Sequence, residues 1–166
     1  MKNLIIRKGT EKDFPAILEL IKELAEFEKG LEQVTNSAEK MQKEKKLFQF
    51  YVAEIDGEII GFALYFFAYF TWVGKSLYLD DIYVKEDYRG QKIGTKLLKK
   101  IFEVAKKENC SRVRWQVLDW NNPAIKFYEK SEVKISKEWL NCDFDSKGMK
   151  EFLERTWNKQ ERASTI

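Results

Sequence analysis

The sequence predicts a mixed α/β fold of the α+β kind: a mostly antiparallel central sheet flanked by helices, with one right-handed strand-helix-strand crossover. Three observations predict it. Phe50 to Ile55 and Glu58 to Phe70 are strand-like and joined by Asp56-Gly57, a pair whose positive φ suits a tight type I′ hairpin. Ser76 to Val84 continues the meander after a turn at Trp72 to Lys75 that contains Gly74. The pattern then changes to a helical stripe of Leu97, Leu98, Ile101 and Ala105, followed by a strand over Arg112 to Leu118, which places a parallel strand after a helix.

Leu4 to Lys8 reads as a short first strand. Thr10 and Asp13, with Asp in the place of the usual Glu, form a capping-box pair ahead of a helix striped with Ile17, Leu20, Ile21 and Leu24 and ending near Phe27. Ser37 caps a second, mostly polar helix through Lys45, packed mainly by Met41. Gly90 to Gly94 opens the crossover helix, on which Lys96, Lys99, Lys100, Lys106 and Lys107 form a solvated face. Asn122 caps the next helix with Pro123 at its first position, where a missing N–H costs nothing, and Phe127 and Tyr128 fall on its second turn. Val133 to Phe144 reads as a strand or hairpin, and Ser146 caps a last helix carrying Met149, Phe152, Leu153 and Trp157.

At 166 residues, with 44% hydrophobic and 14% aromatic content, the chain suits one folded domain over residues 1–166, closed without disulfide or metal staples. The net charge of +3 is spread along the chain, too mild to argue for nucleic acid. No stretch approaches the ~20 apolar residues of a membrane helix, and the N-terminus turns charged too early for a secretory signal, so a cytoplasmic location is expected. Cys110 and Cys142 stand outside any metal-ligand or CxxC spacing and read as reduced and structural. The chain has no histidine, which removes the usual base of Ser and Cys nucleophile enzymes and the commonest zinc ligand; no metal is expected.

The densest chemical signal runs from Leu79-Asp80-Asp81-Ile82-Tyr83-Val84 to Tyr88-Arg89-Gly90-Gln91-Lys92-Ile93-Gly94-Thr95. A strand ends there and a helix begins. A loop with glycine at both ends, turning into a helix N-terminus, points successive N–H groups into one concavity at the positive end of the helix dipole, where phosphate binds. It matches neither GxxxxGK[ST] nor GxGxxG. On the loop alone, glycines that merely make a tight turn are an equal alternative.

These residues resemble the GNAT superfamily of acetyl-CoA-dependent N-acetyltransferases, whose signature Arg/Gln-x-x-Gly-x-Gly/Ala is matched by Arg89 to Gly94 except at Lys92. The resemblance extends to the diamine (spermidine/spermine) acetyltransferases through Ile21-Lys22-Glu23-Leu24-Ala25, Tyr78-Leu79-Asp80-Asp81, Asp87-Tyr88-Arg89-Gly90 and Trp120-Asn121-x-Pro123, and covers nearly the whole chain. It implies an antiparallel meander, a helix crossover and two strands that part for the pantetheine arm. The backbone of Ile82, Tyr83 and Val84 would then pair with pantetheine, and Arg89, Gly90, Gln91, Lys92, Ile93, Gly94 and Thr95 would hold the pyrophosphate, with Asn121 as a further cofactor contact. Lys92 fits that loop if it keeps negative φ and gives only its N–H, its ammonium near a phosphate. Glu132 stands where the family often has a glycine that ends the helix.

With no histidine, the implied route is direct attack by a primary amine on the thioester of acetyl-CoA, with Tyr128 protonating the departing thiolate. Alternation along a strand puts Asp80 and Asp81 on opposite faces, so one of them, by likeness Asp80, meets the cationic acceptor while Asp81 orients structure or water. Phe27 and Glu28 match a second acceptor-side pair. Trp120 either walls the amine site or packs. The acceptors that fit are polyamines, diamines and thialysine-like amines; amino acids, aminoglycosides and protein N-termini, or a non-catalytic acetyl-CoA-binding module, are the alternatives. The resemblance also implies a homodimer, through the aromatic edge around Phe66 to Trp72.

Overall fold

The computed structural model describes residues 3–131 and 133–163, with backbone alone from residue 156 onward, so Glu132 and the Trp157 side chain lie outside the described residues. The chain forms two compact units, Met1–Gln116 and Val117–Ile166.

In the first unit β1 (Leu4–Lys8) pairs antiparallel with β2 (Gln49–Ile55), and β2 with β3 (Glu58–Phe70). Asp56 and Gly57 take φ of 51° and 87°, as a hairpin turn that follows the strand twist requires. β3 pairs antiparallel with β4 (Gly74–Val84), giving the order β1-β2-β3-β4-β5 with a parallel β4-β5 pair at the end. β5 is far shorter than the sequence suggests: Val113–Arg114 rather than Arg112 to Leu118. Among the described residues only β4 pairs with it.

Helix α1 (Phe14–Phe27) buries Phe14, Ile17 and Leu20 against Phe50, Val52, Phe62, Leu64 and Tyr83 on one face of the sheet. Each such side chain contributes roughly 1.5–3 kcal/mol. Helix α2 (Ala38–Glu44), capped by Ser37 through the Lys40 N–H at 3.1 Å, adds Met41 to this core. Ala63, Tyr65, Leu77 and Leu79 alternate with those strand residues and are buried on the other face, against which α3 (Ile93–Lys107) lays Ile93, Leu97, Leu98, Ile101 and Ala105. Gly61 is fixed by the ladder, since a Cβ there would stand 2.7 Å from the Tyr83 carbonyl oxygen.

The entry to α1 is held by charge. The Asp13 carboxylate accepts from both terminal nitrogens of Arg7 at 2.8 Å and from the Thr10 N–H at 2.7 Å, while Arg7 Nε reaches Glu54 on β2 at 2.8 Å. The Arg7 hydrogen bond, with help from Thr10, pulls the Asp13 carboxyl down to about 2 against burial. A folded-state value below the unfolded one means the stabilisation is complete above about pH 4 and is lost as pH falls through about 2. Asp13→Asn is therefore expected to cost about 1–2 kcal/mol at pH 7 in urea denaturation, with the gap to the parent closing below pH 3.

In the second unit α4 (Asn122–Glu129) is capped by Asn121, not Asn122: the Asn121 side chain accepts from the Ala124 N–H at 3.2 Å, the geometry of a true cap, and Pro123 falls one place inside the first turn. The expected strand over Val133 to Phe144 is absent among the described residues, where the backbone is irregular and Trp139, Leu140 and Phe144 are exposed. Among the described residues no neighbouring strand supplies the ladder a strand needs. The last helix, α5 (Ser146–Ala163), is capped by Asp145, which accepts from the Gly148 N–H at 2.6 Å, in place of Ser146. Cys110 and Cys142 are free, and Cys142 is exposed and not packed.

Candidate active site

The site is built where β4 and β5 separate. Leu77 pairs with Val113 and Tyr78 with Arg114, and there the ladder stops. Beyond it the Tyr78 hydroxyl donates to Gln116 Oε1 at 2.8 Å, a side-chain bridge where the backbone pairing ends. Ile82, Tyr83 and Val84 pair on one edge with Ala63, Phe62 and Gly61. Their other edge meets no strand among the described residues, so apart from the Val84 carbonyl, which accepts from Arg89, the N–H and C=O groups on it are open to an extended arm such as pantetheine.

The carboxylates are arranged by a β-bulge. In the β3-β4 ladder Leu64 faces Asp81 but Tyr65 faces Leu79, so Asp80 is an extra residue with no partner of its own. A bulge suspends alternation, and this corrects the expectation that Asp80 and Asp81 must address opposite faces. Asp81 lies on the face shared with Leu64 and Tyr83, under α1, and it feels both Asp80 and Glu28. Desolvation above all, then repulsion from Asp80 and Glu28, pushes the Asp81 carboxyl up to about 7. Desolvation also raises Glu28, just past the end of α1, and Asp80, whose side chain still reaches solvent. Glu28, Asp80 and Asp81 thus form one acidic cluster, with Phe27 part-exposed beside it.

The loop that follows is the anion side. Gly90 has φ of 76° and Lys92 φ of 60°, so Lys92 is left-handed, contrary to the negative φ the sequence suggested for it. The turn demands that conformation immediately before α3, where the family signature has glycine. The first helical bond of α3 runs from the Lys96 N–H to the Lys92 carbonyl, which leaves the amides of Ile93, Gly94 and Thr95 without acceptors inside the helix. Cβ atoms placed on Gly90 or Gly94 would meet nothing within 4 Å, so no side chain or backbone crowds the loop at either glycine. These residues fit a diphosphate. Lys92→Gly is expected to raise stability by about 1 kcal/mol in chemical denaturation, because a side chain in the left-handed region costs about that much; a loss of stability would show that the ammonium makes a compensating contact.

Arg89 behaves differently from its loop neighbours. Its Nε donates to the Val84 carbonyl at 3.0 Å, and its guanidinium lies 5.5 Å from the Phe27 ring and 5.6 Å from the Tyr83 ring. Tyr83 in turn donates to Glu23 on α1 at 3.1 Å. Arg89 therefore ties the end of β4 to the end of α1. Sequence reasoning passed over Glu23 and Gln116 as site residues; only their partners across the sheet reveal them, and no spacing rule links positions so far apart in the chain.

In the second unit Asn121 spends its side-chain oxygen on the α4 cap, and Trp120 is exposed. Tyr128 is buried, its ring 5.3 Å from that of Phe127, and burial holds its hydroxyl un-ionised, pushed up to about 12.

The profile of the acetyltransferase (GNAT) family matches residues 14–132. The chain belongs to the GNAT family. The thialysine N-epsilon-acetyltransferase of Mus musculus is 41% identical to this GNAT protein over 93% of its chain and 100% of the mouse protein. The spermidine/spermine N(1)-acetyltransferase-like protein 1 of Homo sapiens is 32% identical over 93% of this chain and 24% of the human one. Among solved structures, an aminoglycoside N-acetyltransferase in complex with CoA shares the fold with a TM-score of 0.71 at 14% identity, over 87% of this chain and 96% of the other. This GNAT protein is accordingly an enzyme, an N-acetyltransferase.

Proposed function

We propose that this enzyme transfers the acetyl group of acetyl-CoA to the primary amine of a small cationic acceptor, a polyamine, diamine or thialysine-like amine, by direct attack in a ternary complex. The observation that carries the reading is the acidic cluster of Asp80 and Asp81, on the strand that leads into the loop, with Glu28 at the end of α1. An anionic recess concentrates a cation, and the loop takes the phosphates of the acetyl donor. The family and the names of its relatives support both halves.

An alkylammonium of pKa ~10.4 costs about 4 kcal/mol to present as a neutral amine at pH 7.4. Asp81, near 7, is matched to accept that proton, directly or through water, while Asp80 and Glu28 hold the cation. The amine nitrogen then forms its bond to the acetyl carbon as the carbon-sulfur bond breaks. Tyr128, kept protonated by burial, serves as hydrogen-bond donor to the sulfur. Full proton transfer from a phenol near 12 to a thiolate of ordinary pKa ~8.5 is uphill, so its main contribution is to steady the developing charge, with the amine's second proton completing the thiol. Arg89, Gly90, Gln91, Lys92, Ile93, Gly94, Thr95 and Asn121 complete the donor side of the reading, and Phe27 and Trp120 the acceptor side. One domain over residues 1–166 goes with it, as does a homodimer through Phe67, Tyr69 and Trp72, which are exposed along the β3-β4 hairpin.

Thiol release from acetyl-CoA across spermidine, putrescine, thialysine and lysine tests the proposal. At least one of these amines is expected to drive release well above the amine-free rate; binding of CoA without release on any of them would sink it.

A further inference from the structure

The ends of α1 and β4 are joined by a side-chain linkage that the reaction described above does not use. Glu23 and Phe27 are four residues apart on α1 and so stand one above the other on one face of the helix. Both meet side chains from the end of β4. The Tyr83 hydroxyl donates to Glu23 Oε2 at 3.1 Å, and the Arg89 guanidinium lies 5.5 Å from the Phe27 ring and 5.6 Å from the Tyr83 ring. Arg89 reaches the rings by turning back along the chain, its Nε donating to the Val84 carbonyl at 3.0 Å. Tyr83 is buried, whereas Phe27 is 40% exposed and stands outside the core cluster, so a contact on its ring bears directly on its orientation. Arg89 is followed at once by Gly90 of the anion loop, and Phe27 by Glu28 of the acidic cluster.

Resting on the acetyltransferase reading above, we propose that the Arg89 side chain is a positioning group for the acceptor rather than a ligand of the diphosphate: it couples the two half-sites, so that a filled donor loop tightens the binding of the amine. A diphosphate on the loop amides holds Gly90 and with it the Arg89 backbone. The guanidinium is then fixed on the two rings, with Glu23 anchoring Tyr83 beneath it, and Phe27 and Glu28 are held where the cation enters. An empty loop lacks that tether, so the contact on Phe27 is made for less of the time. The effect is mutual, since a bound amine tightens the donor by the same factor.

Calorimetry tests it by measuring the Kd of spermidine, putrescine, thialysine and lysine with and without saturating CoA, in the parent, Arg89→Met, Arg89→Lys and Tyr83→Phe. In the parent, CoA is expected to tighten the best-bound amine by about 5- to 50-fold. Arg89→Met brings that factor to within about twofold of one, while the Kd of CoA alone stays within a few-fold. Removing a cation favours a cationic acceptor by charge alone, so a loss of amine affinity in the presence of CoA reports position. Arg89→Lys recovers little, because an ammonium lacks the planar fork. Tyr83→Phe keeps the ring, loses the bond to Glu23 and lowers the factor in part, and it carries the test should Arg89→Met not fold. A parent factor of one, an unchanged factor in the folded variants, or a CoA Kd that rises about 10-fold or more in Arg89→Met overturns the coupling and leaves the acetyltransferase reading standing; thiol release from acetyl-CoA with none of these amines overturns both.

Discussion

Replacing Tyr128 by Phe is expected to lower kcat by about 10²- to 10⁴-fold while the KM values for acetyl-CoA and the amine stay within a few-fold. The substitution keeps the ring, and with it the contact to Phe127, and removes only a hydroxyl that burial holds un-ionised. A donor to the departing sulfur matters in the transition state and not in the ground state, so the loss belongs in kcat. Because the hydroxyl stays protonated to about 12, the defect should be flat from pH 6 to 10. An unchanged kcat at saturation removes the role.

Asp81→Asn is the second large effect, about 10²-fold or more in kcat/KM, and it reshapes the pH profile. In the parent the activity should climb as pH rises through about 7, where Asp81 loses its proton; in the variant that limb disappears and only the rise due to the amine remains. Stability should move the other way. The folded carboxyl titrates near 7 and the unfolded one near ~3.9, so between these values the folded state holds more protons and loses stability as pH rises. The amide has no charge to bury beside Asp80 and Glu28. Asp81→Asn is thus expected to melt higher than the parent at pH 8 and equally at pH 4, by calorimetry. A variant less stable at pH 8, with the acidic limb intact, would show Asp81 to be a structural carboxylate.

Much of the fold is legible in the chain because its signals are local. Asp56-Gly57 declares its hairpin, Ser37 its cap and the α3 leucines their buried face, each through contacts within a few residues. The readings that fail depend on distant partners. Arg112 to Leu118 looks like a full strand, yet only Val113–Arg114 has β4 beside it. Val133 to Phe144 reads as a strand or hairpin, yet no strand pairs with it among the described residues. Asn122 and Ser146 each yield the cap to the residue before, a shift of one position that side-chain reach decides.

The chemistry divides the same way. The order of residues by itself determined the family and singled out the candidate anion loop and the acidic pair, because Gly90 to Thr95 and the Asp80-Asp81 dipeptide are contiguous in the chain. The tertiary structure alone decided that the bulge brings Asp80, Asp81 and Glu28 into one field, that Lys92 is left-handed, and that Arg89 holds Val84 and two rings. Each of these is a matter of register across a sheet or of charge through space, and neither is encoded by separation along the chain.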